Sequence, residues 1–460
     1  MTKASRDVRL FGSVLAGLLA IVFFGIFGPR LASRGTWTPL TNPEDLHAFL
    51  CAGRAAAVGA DPYRVAPMWD CQISAAAEEG LQIEAGHVIP APLPPYALAL
   101  FALLARVPFP NAYAAWFALT AVLVAVTALV LTRLTGLSPM LVVLSLGVTG
   151  LFVPIVIGQI VPLVLCALVL AMYGLSQGRP RLAAVAAAVA MIEPNLALPA
   201  CLALWVYVPA TRRPLALAAL AAVGLSAVLG FHVVIEYFTR VLPLQSHSQT
   251  LDDEQYGLPA LLFALGAPRS VAEAAGTASL GVMLVGGVLL GGRAARALRE
   301  PAFYVALPIA ASVLFGPYVH PQQLAAAIPA ALLVVRHAPV RSAQRTIALI
   351  SVALLAIPLI PMAEFQPFAS PPPRSGLHLQ PPRIRRPEPQ ALAEIPATDF
   401  DESFSSRERL SQHRQAALVK LPTWAALIVL LVLSWRLTAR AIAAPPSRDP
   451  TGPRVALVAK

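Results

Sequence analysis

Few side chains in this sequence can carry chemistry, and each stands out against an apolar background. Glu193 lies in Met191-Ile192-Glu193-Pro194-Asn195, where Pro194 lacks a backbone donor and bends the chain. A carboxylate there either meets water at a helix end or marks a functional site, because ionisable groups are costly in hydrocarbon. Gln159, in Gly158-Gln159, interrupts a long apolar stretch and hydrogen-bonds either a polar headgroup or another helix. His320 stands in Gly316-Pro317-Tyr318-Val319-His320-Pro321-Gln322-Gln323. It is either a solvated loop histidine or, held by the bent backbone of two prolines and a glycine, a group that binds or protonates a phosphate presented at the membrane interface. Glu44 and Asp45 open a stretch of helical spacing over 44–58. Leu46, Phe49, Leu50 and Val58 are its apolar side, and Glu44, Asp45, His47 and Arg54 its polar side. Thr41 or Asn42 supplies a cap and Pro43 the first turn. By residue type the two acids need no role beyond favouring the helix dipole, and the pattern predicts a short helix lying on a membrane surface.

These residues sit in a chain of 460 residues that is 57% hydrophobic and 12% charged, with mean hydropathy +0.70. An ordinary soluble domain has about 25% charged residues. Uncharged runs of about 18 residues, long enough to cross a bilayer, recur throughout, so the sequence predicts an all-α, polytopic membrane protein. Twelve runs qualify: 10–28, 91–107, 112–132, 137–157, 160–176, 182–208, 215–235, 274–292, 301–319, 322–335, 346–363 and 418–435. The first reads as a retained helix rather than a cleaved signal peptide, since no small-x-small cleavage site follows it.

Lys and Arg stay on the cytoplasmic side. That rule places the Arg293, Arg296, Arg299 loop, the Arg336, Arg341, Arg345 loop, the nine N-terminal residues and the basic tail 436–460 inside, with both termini cytoplasmic. The acidic outer loop 30–90 faces out, as does the Pro-rich 364–417, whose composition reads as extended or disordered chain. Strict alternation puts Arg133 and the Arg179/Arg181 turn outside, against the rule, so 133–210 is expected to include shallow or re-entrant helices. The charge of +11, from 34 basic and 23 acidic residues, is spread over loops and tail rather than gathered in a patch for nucleic acid. Four cysteines exclude a disulfide-rich scaffold, and no zinc spacing occurs. Cys51 and Cys71 share the outer loop, where they are either free or bridged.

Asp45-Leu46-His47-Ala48-Phe49, Gly53-Arg54-Ala55-Ala56, Gly59-Ala60-Asp61-Pro62-Tyr63 and Pro92-Leu93-Pro94-Pro95-Tyr96 follow one another before Gly158-Gln159. Tyr237-Phe238 with Val241-Leu242-Pro243, then Gly316-Pro317-Tyr318-Val319-His320 and Pro329, complete the series. In order and spacing this resembles glycosyltransferase family 87, a mannosyltransferase-like family of the GT-C superfamily of polyprenol-phosphate-sugar-dependent glycosyltransferases. Two positions depart from the family: Glu193-Pro194 stands where Lys-Pro is common, and Val161-Pro162 follows Gly158-Gln159 where Asn is frequent.

The resemblance implies a GT-C membrane fold with a large first outer loop. It also implies transfer of a mannose-like or arabinofuranose-like sugar from a polyprenyl-phosphate donor to a lipid or glycan acceptor, with no metal and no cofactor. Asp45 would be the general base of an inverting displacement, which needs one carboxylate because a phosphate leaving group requires no strong acid. Arg54 and His320 would neutralise the phosphate, with Gln159, Tyr63, Asp61 and Glu193 also lining the substrate site. Two rival readings are a transporter or flippase of a lipid-linked sugar and a catalytically silent scaffold. Transporters typically carry paired internal repeats with broken helices, and no such pairing is visible.

Overall fold

The computed structural model describes residues 44–79, 88–250, 255–314, 316–357 and 410–443. The predicted first helix over 10–28, most of the Pro-rich segment and the end of the basic tail lie outside the described residues. Among the described residues the fold is all-helical, with no strand. The described chain opens with α1 (Glu44–Ala57) and α2 (Val65–Glu79). There follow α3 (Pro95–Leu104), α4 (Phe109–Thr135), α5 (Pro139–Leu146), α6 (Val153–Ile157), α7 (Val161–Ser176), α8 (Pro180–Ala190), α9 (Pro194–Tyr207), α10 (Arg212–Val228) and α11 (Phe231–Glu236). The remainder comprises α12 (Leu242–Gln249), α13 (Leu258–Ala264), α14 (Arg269–Ala297), α15 (Phe303–Leu314), α16 (Ile328–His337), α17 (Ala343–Ala356) and α18 (Leu410–Ala443).

Proline sets many of these boundaries. It occupies the first turn of α3, α4, α5, α7, α8, α9, α13 and α16, where its missing N–H costs nothing. Runs that read as continuous in the sequence are therefore cut. The 182–208 stretch becomes α8 and α9, and 137–157 is interrupted by the π-helical turn Gly147–Phe152. Among the described residues, four helices are long and apolar enough to cross a membrane: Phe109–Thr135, Pro209–Val228, Arg269–Ala297 and Ala417–Ala443. Their exposed apolar residues, such as Val122, Leu220, Val282 and Val432, suit a lipid surroundings rather than water. The last helix starts at Leu410, inside the stretch expected to be unstructured.

One expectation is corrected: α1 does not lie on a surface. Leu46 to Gly53 are buried without interruption, and α1 packs on α2 and α3. Its polar side is enclosed among rings and backbone. His47 packs edge-on against Phe109 and Tyr113 at 5.6 and 6.4 Å. Arg54 lies 3.6 Å over the Phe109 ring and donates to the Val107 carbonyl at 3.2 Å. Gly53 allows the approach to α3, since a Cβ there would meet the Phe101 carbonyl carbon at 2.4 Å.

The run 91–107 holds a shorter helix than its hydropathy suggests: α3 has 10 residues, about 15 Å of helix, against a hydrocarbon core of about 30 Å. Phe101 of α3 packs on Phe49 at 5.4 Å, and the Val107 carbonyl just beyond α3 accepts from Arg54, so α4 begins beside α1. The far end of α4 lies elsewhere. Arg336 donates to the Leu134 carbonyl at 2.5 Å and pairs with Glu300 at 2.7 Å, and Ser176 donates to Glu300 at 2.9 Å. Burial opposes ionisation of Glu300, yet His337, Ser176 and the Arg336 charge hold its carboxyl below the usual carboxylate range. Tyr207 stacks on Tyr304 at 5.5 Å beneath Arg296. The ends of α4, α7, α9, α14 and α16 thus gather at one basic end. Arg133, in the last turn of α4, and Arg179, at the start of α8, lie near these ends.

Cys51 and Cys71 form a disulfide, with Cα atoms 5.6 Å apart, that ties α1 to α2. Replacing both cysteines by serine should lower stability by about 3 kcal/mol and abolish the mobility shift on reduction in electrophoresis; a wild-type chain showing no shift would contradict the bridge.

Burial and then the Arg54 charge lower His47 from its ordinary 6.5 to about 4. Below pH 6.5 the unfolded chain therefore binds a proton that the folded chain refuses, and stability falls as pH drops from 6.5 toward 4 by up to about 3 kcal/mol. Thermal unfolding across this range should show His47→Leu less acid-sensitive than the wild type, and parallel curves would refute the assignment.

Candidate active site

Asp45 stands in the first turn of α1, half-buried, where the helix dipole favours its charge. Its Oδ2 accepts a hydrogen bond from Gln159 Nε2 at 2.7 Å. Gln159 owes its position to a break in the helix between α6 and α7. Gly158 takes φ +75°, a left-handed value that other residues rarely adopt. The Gln159 N–H returns to the Pro154 carbonyl at 2.8 Å. Its Oε1 accepts from the Ile160 N–H at 3.2 Å at the start of α7, so the amide nitrogen is the end turned toward Asp45.

A second break places Glu193. α8 stops at Ala190 and Pro194 restarts the chain as α9, with Glu193 at the junction and only 9% exposed. The Met191 carbonyl freed by this break accepts from the Tyr96 hydroxyl at 2.6 Å. Glu193 Oε1 accepts from Gln323 Nε2, while its buried Oε2 has no hydrogen-bond partner among the described residues. Gln323 Oε1 in turn accepts the His320 N–H at 2.9 Å. His320 lies between α15 and the 3₁₀ turn Pro321–Ala327. Asp45 and Glu193 are within electrostatic reach of each other, so the structure brings Asp45, Gln159, Glu193 and His320 to one end of the bundle.

The other candidates lie apart. Nine residues separate Arg54 from Asp45 on α1, about 13 Å along the axis and on the opposite side, and its guanidinium is spent on Phe109 and Val107. Asp61 accepts from the Tyr63 N–H at 2.9 Å and pairs with Arg64 at 3.2 Å. Arg64 reaches Glu236 at 2.6 Å, fastening the α1–α2 turn to the end of α11. Burial, then the adjoining Asp61, raises the Glu236 carboxyl above its ordinary value against the pull of Arg64. Tyr63 donates to the Leu93 carbonyl at 2.6 Å and packs on Tyr237 at 5.8 Å. Burial, then the Tyr237 neighbour, pushes its phenol well up.

Gln323, Tyr96 and Gln255 escaped the sequence reading. The pair Gln322-Gln323 heading the apolar run 324–335 was the available signal for the first of them.

Apolar helices, four of them among the described residues long enough to cross a membrane, are compatible with a helical membrane protein, and their breaks collect acids and amides at one end. The model of glycosyltransferase family 87 matches residues 93–321, and the chain belongs to that family, a membrane glycosyltransferase. No curated protein and no solved structure matches it. The matched region contains Gln159, Glu193 and His320; Asp45 precedes it.

The amide-to-carboxylate bond should contribute about 2 kcal/mol. A double-mutant cycle of Asp45→Ala and Gln159→Leu, read by thermal unfolding in detergent, should give a coupling of that order; strictly additive effects would remove the contact.

Proposed function

We propose that this protein transfers a mannose-like or arabinofuranose-like sugar from a polyprenyl-phosphate donor to a lipid or glycan acceptor on the non-cytoplasmic face, with inversion. The observation that carries the reading is the Asp45 carboxylate aimed by Gln159 at the end of the bundle where Glu193 and His320 also converge. Asp45 takes the proton of the acceptor hydroxyl as its oxygen attacks the anomeric carbon. The bond from that carbon to the phosphate oxygen breaks, the electron pair leaves with polyprenyl phosphate, and approach opposite the leaving group inverts the centre. A single positioned base suffices. Gln159 keeps the carboxylate in one orientation, and Glu193 takes a sugar hydroxyl. His320 meets the phosphate; the distance of Arg54 from Asp45 argues against Arg54 sharing that task.

Two observations support the non-cytoplasmic side. The Cys51–Cys71 bridge lies on the same helix as Asp45 and suits an oxidising compartment. The Arg-rich loops, held inside by the charge rule, belong to the Glu300 end, reached from Gln159 only at the other end of α7. This orientation puts both termini in the cytoplasm, in a cell-membrane protein.

One feature favours the rival transporter reading. The breaks at Gly158 and at Met191–Glu193 resemble the discontinuous helices of secondary transporters. Incubating membranes with a radiolabelled panel of polyprenyl-phosphate sugars and candidate acceptors separates the two. Wild type should form labelled product, and Asp45→Asn should lose at least about 100-fold in rate. Equal rates for both would remove Asp45 from catalysis, and flipping of labelled lipid in vesicles without product would establish the transporter.

A further inference from the structure

Lys420 lies in the last helix, α18, beyond the region matched by the family. A lysine near the end of an apolar helix ordinarily extends its amine toward water. Lys420 does the reverse: it is 3% exposed, its Nζ donates to the Gln255 carbonyl at 2.8 Å, and it sits 5.1 Å from the Tyr256 ring centroid. One turn further along, Trp424 Nε1 donates to the next carbonyl, that of Tyr256, at 2.9 Å. Residues four apart share a helix face, so α18 grips two successive carbonyls of one short segment.

That segment is fastened to the residue before His320. The Tyr256 N–H donates to the Val319 carbonyl at 2.7 Å, and the Val319 N–H donates to Gln255 Oε1 at 2.8 Å. The second bond also settles which way the Gln255 amide points, leaving its nitrogen 2.9 Å from both Nδ1 and Nε2 of His320. Gln255 itself is 1% exposed. The ring is thus held by Gln255 while the backbone at His320 is held by Gln323, which also holds Glu193.

We infer that Lys420, with Trp424, is a positioning residue of the transfer site, setting the His320 ring through Gln255, and that the last helix is therefore part of that site. The inference rests on the reading of His320 as a member of the site. Lys420 needs no contact with substrate: a displacement of about 1 Å in a reacting assembly costs up to about 100-fold in rate.

The test labels the full-length protein in nanodiscs with diethyl pyrocarbonate, reads the modification rate of His320 by mass spectrometry, and measures sugar transfer on the same preparations. Lys420→Met should raise the labelling rate about 10-fold, the worth of one lost charged hydrogen bond. It should lower kcat about 10-fold or more with little change in KM, and Lys420→Arg, which can keep the bond, should restore both. If Lys420→Met does not fold, Trp424→Phe, which loosens the same segment, should move both readouts in the same direction. Unchanged labelling in the variants overturns the inference, as does faster labelling with unchanged kcat. The labelling readout needs no turnover. Failure of the wild type to transfer sugar, or equal transfer by Asp45→Asn, would instead count against the proposed function.

Discussion

A carboxylate kept inside an apolar helical assembly must be hydrogen-bonded, because leaving it unmatched costs several kcal/mol. The contact from Gln159 to Asp45 answers that requirement, and much of the surrounding chain follows from making it possible. Gln159 can serve only if the helix stops beneath it, hence Gly158 at positive φ and Pro162 opening α7. Stopping a helix in an apolar setting frees backbone groups that need partners of their own. At the first break the Pro154 and Ile160 groups bond to Gln159 itself. At the second, the Met191 carbonyl takes the Tyr96 hydroxyl. Site and scaffold are the same set of hydrogen bonds.

The enclosed α1 follows from the same constraint. A helix lying at an interface would let Asp45, His47 and Arg54 meet water, and the site would have no fixed geometry. Surrounding α1 instead sets Asp45 on Gln159 and Arg54 on Val107 and Phe109, and packs the His47 ring against Phe109 and Tyr113. The disulfide to α2 and the Asp61–Arg64–Glu236 chain then hold the outer region in place. Asp61, Tyr63 and Arg64 contribute by fastening this region rather than by lining the Asp45–Gln159 contact.

Much of this was legible from residue types. Glu193, Gln159 and His320 stood out because polar groups are rare in the apolar runs, and the structure gathers them at one end. Asp45 was not legible by type, since an acid in a first helical turn is commonplace; the order of motifs along the chain singled it out. Helix bounds were less legible because hydropathy averages over prolines. Pro194 splits a run of 27 residues, 182–208, that looks continuous, and the apolar run 91–107 holds a helix of only 10 residues. The placement of Arg54 was not legible from the motif order, because nine residues on a helix turn it to the side opposite Asp45, where it meets Phe109 and Val107.

The depth of the site follows from α7. Its 16 residues span about 24 Å, comparable to much of a hydrocarbon core of about 30 Å. From Val161 to Leu175 the helix carries no charged residue. At one end stands Gln159 with Asp45, and at the other Ser176 with Glu300 and Arg336. The family match covers the middle of this assembly, over 93–321, yet Asp45 is supplied from before it and Lys420 from after it. The site therefore depends on the whole bundle closing, with the last helix fixing the segment that carries His320.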